Sequence, residues 1–248
     1  MELIAALIAG ASIGAVLGFI GAGGAMLSVP ILIYGFSFDA KSATTAALVI
    51  VGLAALSGLI PKARKGEVLY RDALVIVGLG LVTNLGFASL ASSIPDSIIT
   101  IGFAGVLILA GLSMLRTPKF SEQMKMPLSI LIIISLVIGS ITGLFGIGGG
   151  FLAIPVLVLY FGTPPSIAAG TSLLIIALNS LISFLGRNQI WENVQWDIPI
   201  VMAIAAILIA QVASRISGKS SPAALRRAFA YLLLAISAFT LIQSWIAL

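Results

Sequence analysis

One glycine-rich string occurs twice inside apolar sequence, GFIGAGGAMLSVP from Gly18 to Pro30 and GLFGIGGGFLAIP from Gly143 to Pro155, at a constant offset of 125 residues. Each interior glycine costs a helix roughly 1 kcal/mol relative to alanine, so a regular helix does not run through such a cluster. Within a bilayer, broken backbone is tolerated only where it is buried in protein or lines a cavity, because no lipid group can satisfy it. Breaks at equivalent points of two halves point to the binding site of a transporter.

Composition sets the class. The chain is 60% hydrophobic and 8% charged, against about 25% charged in an ordinary soluble domain. Stretches such as Ser42 to Ile60, Ala73 to Ala91 and Pro222 to Leu248 approach or exceed the roughly 20 apolar residues that span a bilayer. The fold class expected is an all-α polytopic membrane protein, with the lipid bilayer as a partner. No basic segment precedes the first apolar run, so a cleaved signal peptide is not expected. Cysteine and histidine are absent, which excludes disulfides and thiol catalysis. With no deep acid either, no nucleophile with its base, metal set or carboxylate pair can be assembled. We therefore expect no enzyme, no cofactor and no metal. The net charge of +5 lies in short loops between spans and forms no basic face, so nucleic acid is not an expected partner.

The repeat extends beyond the glycines. At the same offset Gly14 pairs with Gly139, Leu32 with Leu157, Phe36 with Phe161, Ala43 with Ala168, Leu48 with Leu173 and Ile50 with Ile175. Further on, one inserted residue aligns Val68 with Val194. Two transmembrane repeats, 1–115 and 128–248, are thus joined by a cytoplasmic linker, RTPKFSEQMKMP, over 116–127.

Charge selects the topology. A straight helix from Leu3 to Phe36 would run roughly 50 Å, past a hydrocarbon core of about 30 Å. If it turns back at Gly21 to Gly24, each half holds a glycine-tipped hairpin and three spanning helices. That odd number of elements inverts the second half, and the whole has about eight long spans and two short return helices. On one side this model collects Lys62, Arg64, Lys65, Arg71, Arg116, Lys119, Lys125, Arg215, Lys219, Arg226 and Arg227, leaving Lys41 and Arg187 of the thirteen basic residues opposite. A single crossing divides the same charges far more evenly, so the positive-inside rule favours inverted repeats with both termini outside. Asp39, Lys41, Arg187 and Arg215 fall near span ends, where anchoring or snorkelling is the default expectation.

In this arrangement a return helix of Ala25 to Phe36 brings each glycine tip to about mid-membrane, where the two tips can meet. Each return helix begins with unpaired N–H groups and the positive end of its dipole, which suits an anion. The expected substrate-binding residues are Gly21, Gly23 and Gly24 at the first tip and Gly146, Gly148, Gly149 and Gly150 at the second. Gly18 and Gly143 are equally well explained by helix packing. Thr45, Thr171 and Ser172, with the intramembrane amides Asn84, Asn179 and Gln211, are further candidates, since they hydrogen-bond an oxyanion without fixed charge. A hydrogen bond between helices is as good a reading for any one of them. No acid or base lies mid-span, so the sequence shows no carboxylate relay for a coupling ion. A carrier and a passive anion channel are both compatible with half-helix tips, as is a homo-oligomer.

The motif G-x-x-G-x-G-G-G-F-x-x-x-P at Gly143 to Pro155, followed by AAGTSLLII from Ala168 to Ile176 and by ENVQW, resembles the sulfite exporter TauE/SafE family of toluene-sulfonate-uptake-type permeases. The first half matches through GFIGAGGAMLSVP and RKGEVLYRD, so the resemblance covers essentially the whole chain. It implies an inner-membrane exporter of small sulfur-containing or organic anions such as sulfite or sulfoacetate. Two departures stand out. Gly170-Thr171-Ser172-Leu173 is matched by Thr45-Ala46-Ala47-Leu48 in the first half, which weights binding toward the second. Alanines around Ala206 to Ala210 replace family glycines, which predicts a less intimate helix crossing there.

Overall fold

The structure is a computed structural model that describes residues 2–115, 128–159, 162–217 and 222–246. The linker at 116–127, with Arg116, Lys119 and Lys125, lies outside the described residues, as does Lys219. Among the described residues ten α-helices follow one another: α1 (Glu2–Ile20), α2 (Gly24–Pro30), α3 (Ala40–Arg64), α4 (Tyr70–Leu90), α5 (Asp96–Leu115), α6 (Leu128–Phe145), α7 (Gly150–Leu159), α8 (Pro165–Gly186), α9 (Asp197–Ile216) and α10 (Pro222–Ile246). Each half therefore contains five helices, of which the second is short.

Local chemistry explains the boundaries. Asp39 caps α3 by accepting from the Ser42 N–H at 2.9 Å. At the other end of α3, the Gly66 N–H donates to Ala63 and the Glu67 N–H to Lys62, with Gly66 at φ 72°. This is a Schellman stop, which uses a glycine where the backbone turns left-handed. Pro165 opens α8 in the first turn, where its missing N–H has no helical partner to lose. The first return helix runs Gly24–Gly35, within a residue of the expected Ala25 to Phe36. Its α-helical part ends at Pro30 and passes into a π-helical turn, Ile31–Gly35.

Among the described residues seven helices are long and apolar enough to cross a membrane, namely α1, α3, α4, α5, α6, α8 and α9. The 25-residue α10 is a further long helix. Large apolar side chains such as Val82, Leu109, Ile133 and Leu208 stand on the outside of the fold, as a lipid-facing surface requires. The helices α3 and α8 form the centre, each with two thirds of its apolar window buried.

The halves exchange equivalent contacts. α1 packs on α9, and its counterpart α6 packs on α4; α3 meets α9 as α8 meets α4; α5 meets α10, and α3 meets α8. The correspondence holds residue by residue. Gly14 of α1 lies against the backbone of Ala206, and Gly139, 125 positions on, against that of Gly80. Gly18 abuts Ala210 and Gly143 abuts Asn84, so both glycines serve the packing of helices. The expected loosening at Ala206 to Ala210 is not found. Glycines on α1 alone remove enough bulk to bring the two backbones together, and alanine on α9 suffices opposite them.

Candidate functional site

Each hairpin tip is built from glycines that turn left-handed, with φ 77° and 90° at Gly21 and Gly23, and φ 67°, 71° and 71° at Gly146, Gly148 and Gly149. The last helical bonds before the tips run from the Gly21 N–H to Leu17 and from the Gly146 N–H to Thr142, at 2.8 and 2.9 Å. Beyond them, the N–H groups of Ala22, Gly23, Ile147, Gly148 and Gly149 donate no backbone hydrogen bond among the described residues. They precede the first turns of α2 and α7, which begin at Gly24 and Gly150. Unpaired donors therefore collect at the positive ends of two half-helices.

Each tip rests on the central helix of the other half. A Cβ on Gly21 would lie 2.6 Å from Ala169 of α8, and one on Gly146 would run into the Thr44 carbonyl of α3. Ala169 and Thr44 are themselves 125 positions apart. The nearest neighbours of the tip glycines come from these central helices and from their own hairpins, so the described contacts include no direct meeting of the two tips.

What surrounds the tips differs in polarity. A Cβ on Gly149 would sit 2.6 Å from both Ile138 and the Thr142 hydroxyl and 3.5 Å from the Asn179 Nδ2. On Gly148 it would sit 2.9 Å from Ile176 and 3.2 Å from the Ser180 hydroxyl, and on Gly150 it would reach Ile176 and the Ser172 hydroxyl. At the first tip Gly24 faces Ile13 and Leu17. Leu17 thus stands where Thr142 stands, and the offset puts Ala47, Ala54 and Ala55 in place of Ser172, Asn179 and Ser180. All six of these last residues are buried.

The other predicted residues fall into distinct roles. Ser172 donates to the Gly150 carbonyl at 3.0 Å and so ties α8 to the start of α7. Thr171 donates to Ile167 and accepts the Leu69 N–H at 3.0 Å, which fastens the loop after α3. Asn84 donates to the Asn179 carbonyl and Oδ1, both at 3.2 Å, and accepts from Ser183. The amide pair therefore clamps α4 to α8, and Asn179 alone extends to the tip. Gln211 is half-buried on α9, with no contact to either tip among those described. The residue that sequence reasoning missed is Ser180, whose hydroxyl is buried without a hydrogen-bond partner.

Arg187 corrects an expectation. It does not snorkel from a span end but is buried, with 1% of its surface exposed. Its Nε donates to the Gly143 carbonyl, Nη2 to Gly143 and Leu144 at 2.7 and 2.6 Å, and Nη1 to the hydroxyls of Thr44 and Thr45 at 2.7 and 3.3 Å. Thr45, expected at a substrate, is thus held by this guanidinium. At the equivalent position Lys62 is also buried and pairs with Glu67 at 2.9 Å. Two cavities flank this region. One beside α2, of about 10 Å³, is lined by Pro30, Tyr34, Thr44 and Thr240 among others; another, of about 190 Å³, lies at Pro61, Arg64, Lys65 and Arg215. Neither is lined by a tip glycine.

Comparison with known proteins finds membrane transporters. A "Probable membrane transporter protein" of Xylella fastidiosa is 29% identical over 258 aligned positions that cover all of this chain and 98% of the relative. The "Probable membrane transporter protein YunE" of Bacillus subtilis is 26% identical, covering 79% of this chain and 81% of its own. A third, from Methanocaldococcus jannaschii, is 37% identical over about a third of each chain. No solved structure matches. The profile described as Sulfite exporter TauE/SafE matches residues 6–240, and the chain belongs to that family of membrane transporters.

Proposed function

We propose that the chain exports a small sulfur-containing or organic anion, such as sulfite or sulfoacetate, across the inner membrane, and that the second glycine tip binds it. The observation that carries this reading is the Ser180 hydroxyl, buried without a partner beside Gly148 in a turn whose N–H groups lack backbone acceptors. Leaving a buried polar group unsatisfied costs about 1–3 kcal/mol, and an oxyanion seated on the turn relieves that cost. N–H and O–H donors at a helix start bind anions without a fixed positive charge in contact. Gly146, Gly148, Gly149 and Gly150 shape the turn, and Thr142, Ser172 and Asn179 line it. Gly21, Gly23 and Gly24, in a turn that meets Ala169, Ile13 and Leu17, serve mainly the first turn and its packing.

In the same proposal 1–115 and 128–248 are inverted repeats that rock about α3 and α8 to alternate access. The exchanged packing of the two halves and the one-sided distribution of basic loops support it. Transport is tested by counterflow in proteoliposomes: trans-stimulated uptake of labelled sulfite marks a carrier, whereas steady current without counterflow makes the protein a channel. Topology is tested by single cysteines at positions 64 and 188, which an impermeant maleimide should label from opposite sides. Labelling from the same side overturns the inversion.

A further inference from the structure

We infer that Arg187 is the charge-selecting residue of the second tip, a fixed positive charge left without a counter-ion so that its field favours an anion there. The inference rests on the proposed binding at that tip. Among the described residues the buried charged side chains are Lys62 and Arg187, 125 positions apart at the ends of α3 and α8. Lys62 is neutralised by Glu67. The sequence register that aligns Val68 with Val194 matches Glu67 with Asn193, which carries no charge, and both Asn193 and the neighbouring Glu192 are exposed. Arg187 instead gives its N–H groups to neutral oxygens only, those of Gly143, Leu144, Thr44 and Thr45.

These acceptors locate the charge. Gly143 and Leu144 belong to the last turn of α6, just before the turn that begins at Gly146. The negative end of the α6 dipole holds the guanidinium in place, but carbonyls and hydroxyls leave its full unit charge uncancelled. Burying such a charge is expensive, and a neutral amide side chain bonds carbonyls without that penalty. The other half shows that this fold accommodates a cation together with its carboxylate. Retaining the charge bare at the polar tip, and neutralising it in the half whose tip is apolar, is what attraction of an anion requires. In a low-dielectric setting a unit charge acts across several ångströms without contact, so Arg187 selects for charge while the tip makes the hydrogen bonds.

The competing account is a tie that merely fixes the end of α6, and two variants separate them. Arg187→Lys keeps the charge and gives up the forked hydrogen bonding of the guanidinium; Arg187→Gln removes the charge and keeps an amide donor. Binding of sulfite to purified protein is measured by titration calorimetry, with thermal melting as the control for folding. Selection by charge predicts that Arg187→Gln weakens sulfite binding about tenfold while Arg187→Lys keeps it. Unchanged affinity in Arg187→Gln overturns the inference, and an equal loss in both variants overturns it too and identifies a structural tie. Failure of the unaltered protein to bind sulfite overturns the proposed binding at the tip as well, whereas normal binding in all variants overturns only the role of Arg187.

Discussion

The two glycine tips share a backbone plan and differ in what is placed around it. Both turn on left-handed glycines, both begin a half-helix, and each leans on the fifth residue of the opposite central helix, Ala169 or Thr44. Around the second stand Thr142, Ser172, Asn179 and Ser180; their counterparts 125 positions earlier are Leu17, Ala47, Ala54 and Ala55, and the first tip faces Ile13, Leu17 and Ala169. The geometry occurs twice, and side chains make only one copy polar. A broken helix is thus a structural device first. On the proposed reading it serves binding only where donors are left over after the fold has used what it needs.

The largest effect is expected where geometry is shared. Gly146→Ala adds a Cβ against the Thr44 carbonyl at a residue with φ 67°. Left-handed strain of about 1–2 kcal/mol adds to an overpacking cost of about 1–3 kcal/mol. We expect a large fall in melting temperature in detergent, with Gly21→Ala suffering comparably against Ala169. If either variant melts like the parent protein, the tips do not bear on the central helices as described.

A smaller and more selective effect separates strain from site. Gly66 and Gly148 have nearly the same φ, 72° and 71°, but a Cβ on Gly66 meets nothing within 4 Å, while one on Gly148 meets Ile176 and Ser180. Gly66→Ala should cost about 1 kcal/mol and leave anion binding alone. Gly148→Ala should cost more and also weaken sulfite binding, because its methyl occupies the space that Ser180 faces. Equal losses of affinity would reduce the second tip to another turn.

The glycine strings made the hairpins, the five elements of each half and the family legible in the sequence, because broken helices and a constant offset are local signals. The greater polarity beside the second tip was also readable, from Ser172 against Ala47, whereas Thr171 serves the Leu69 loop. What escaped depends on which face of a helix meets which neighbour. Arg187 looks like a span-end residue until Thr44, 143 positions earlier, closes over it. Its offset from the equally buried Lys62 was the available clue. Asn84 and Asn179 were visible as intramembrane amides, but only the packing of α4 on α8 shows that they bond one another. Ser180 is an ordinary small residue in the sequence, and its meaning comes from lacking a partner.

The central claim, that the second tip and not the first holds the anion, is tested most directly by exchanging one hydroxyl between them. Ser180→Ala and Ala55→Ser are compared with the unaltered protein for counterflow of labelled sulfite in proteoliposomes. The account predicts that Ser180→Ala lowers apparent affinity about tenfold, the worth of one hydrogen bond to a charged group, without loss of thermal stability, and that Ala55→Ser leaves affinity unchanged. Wild-type affinity in Ser180→Ala, or an equal change in both variants, would contradict it.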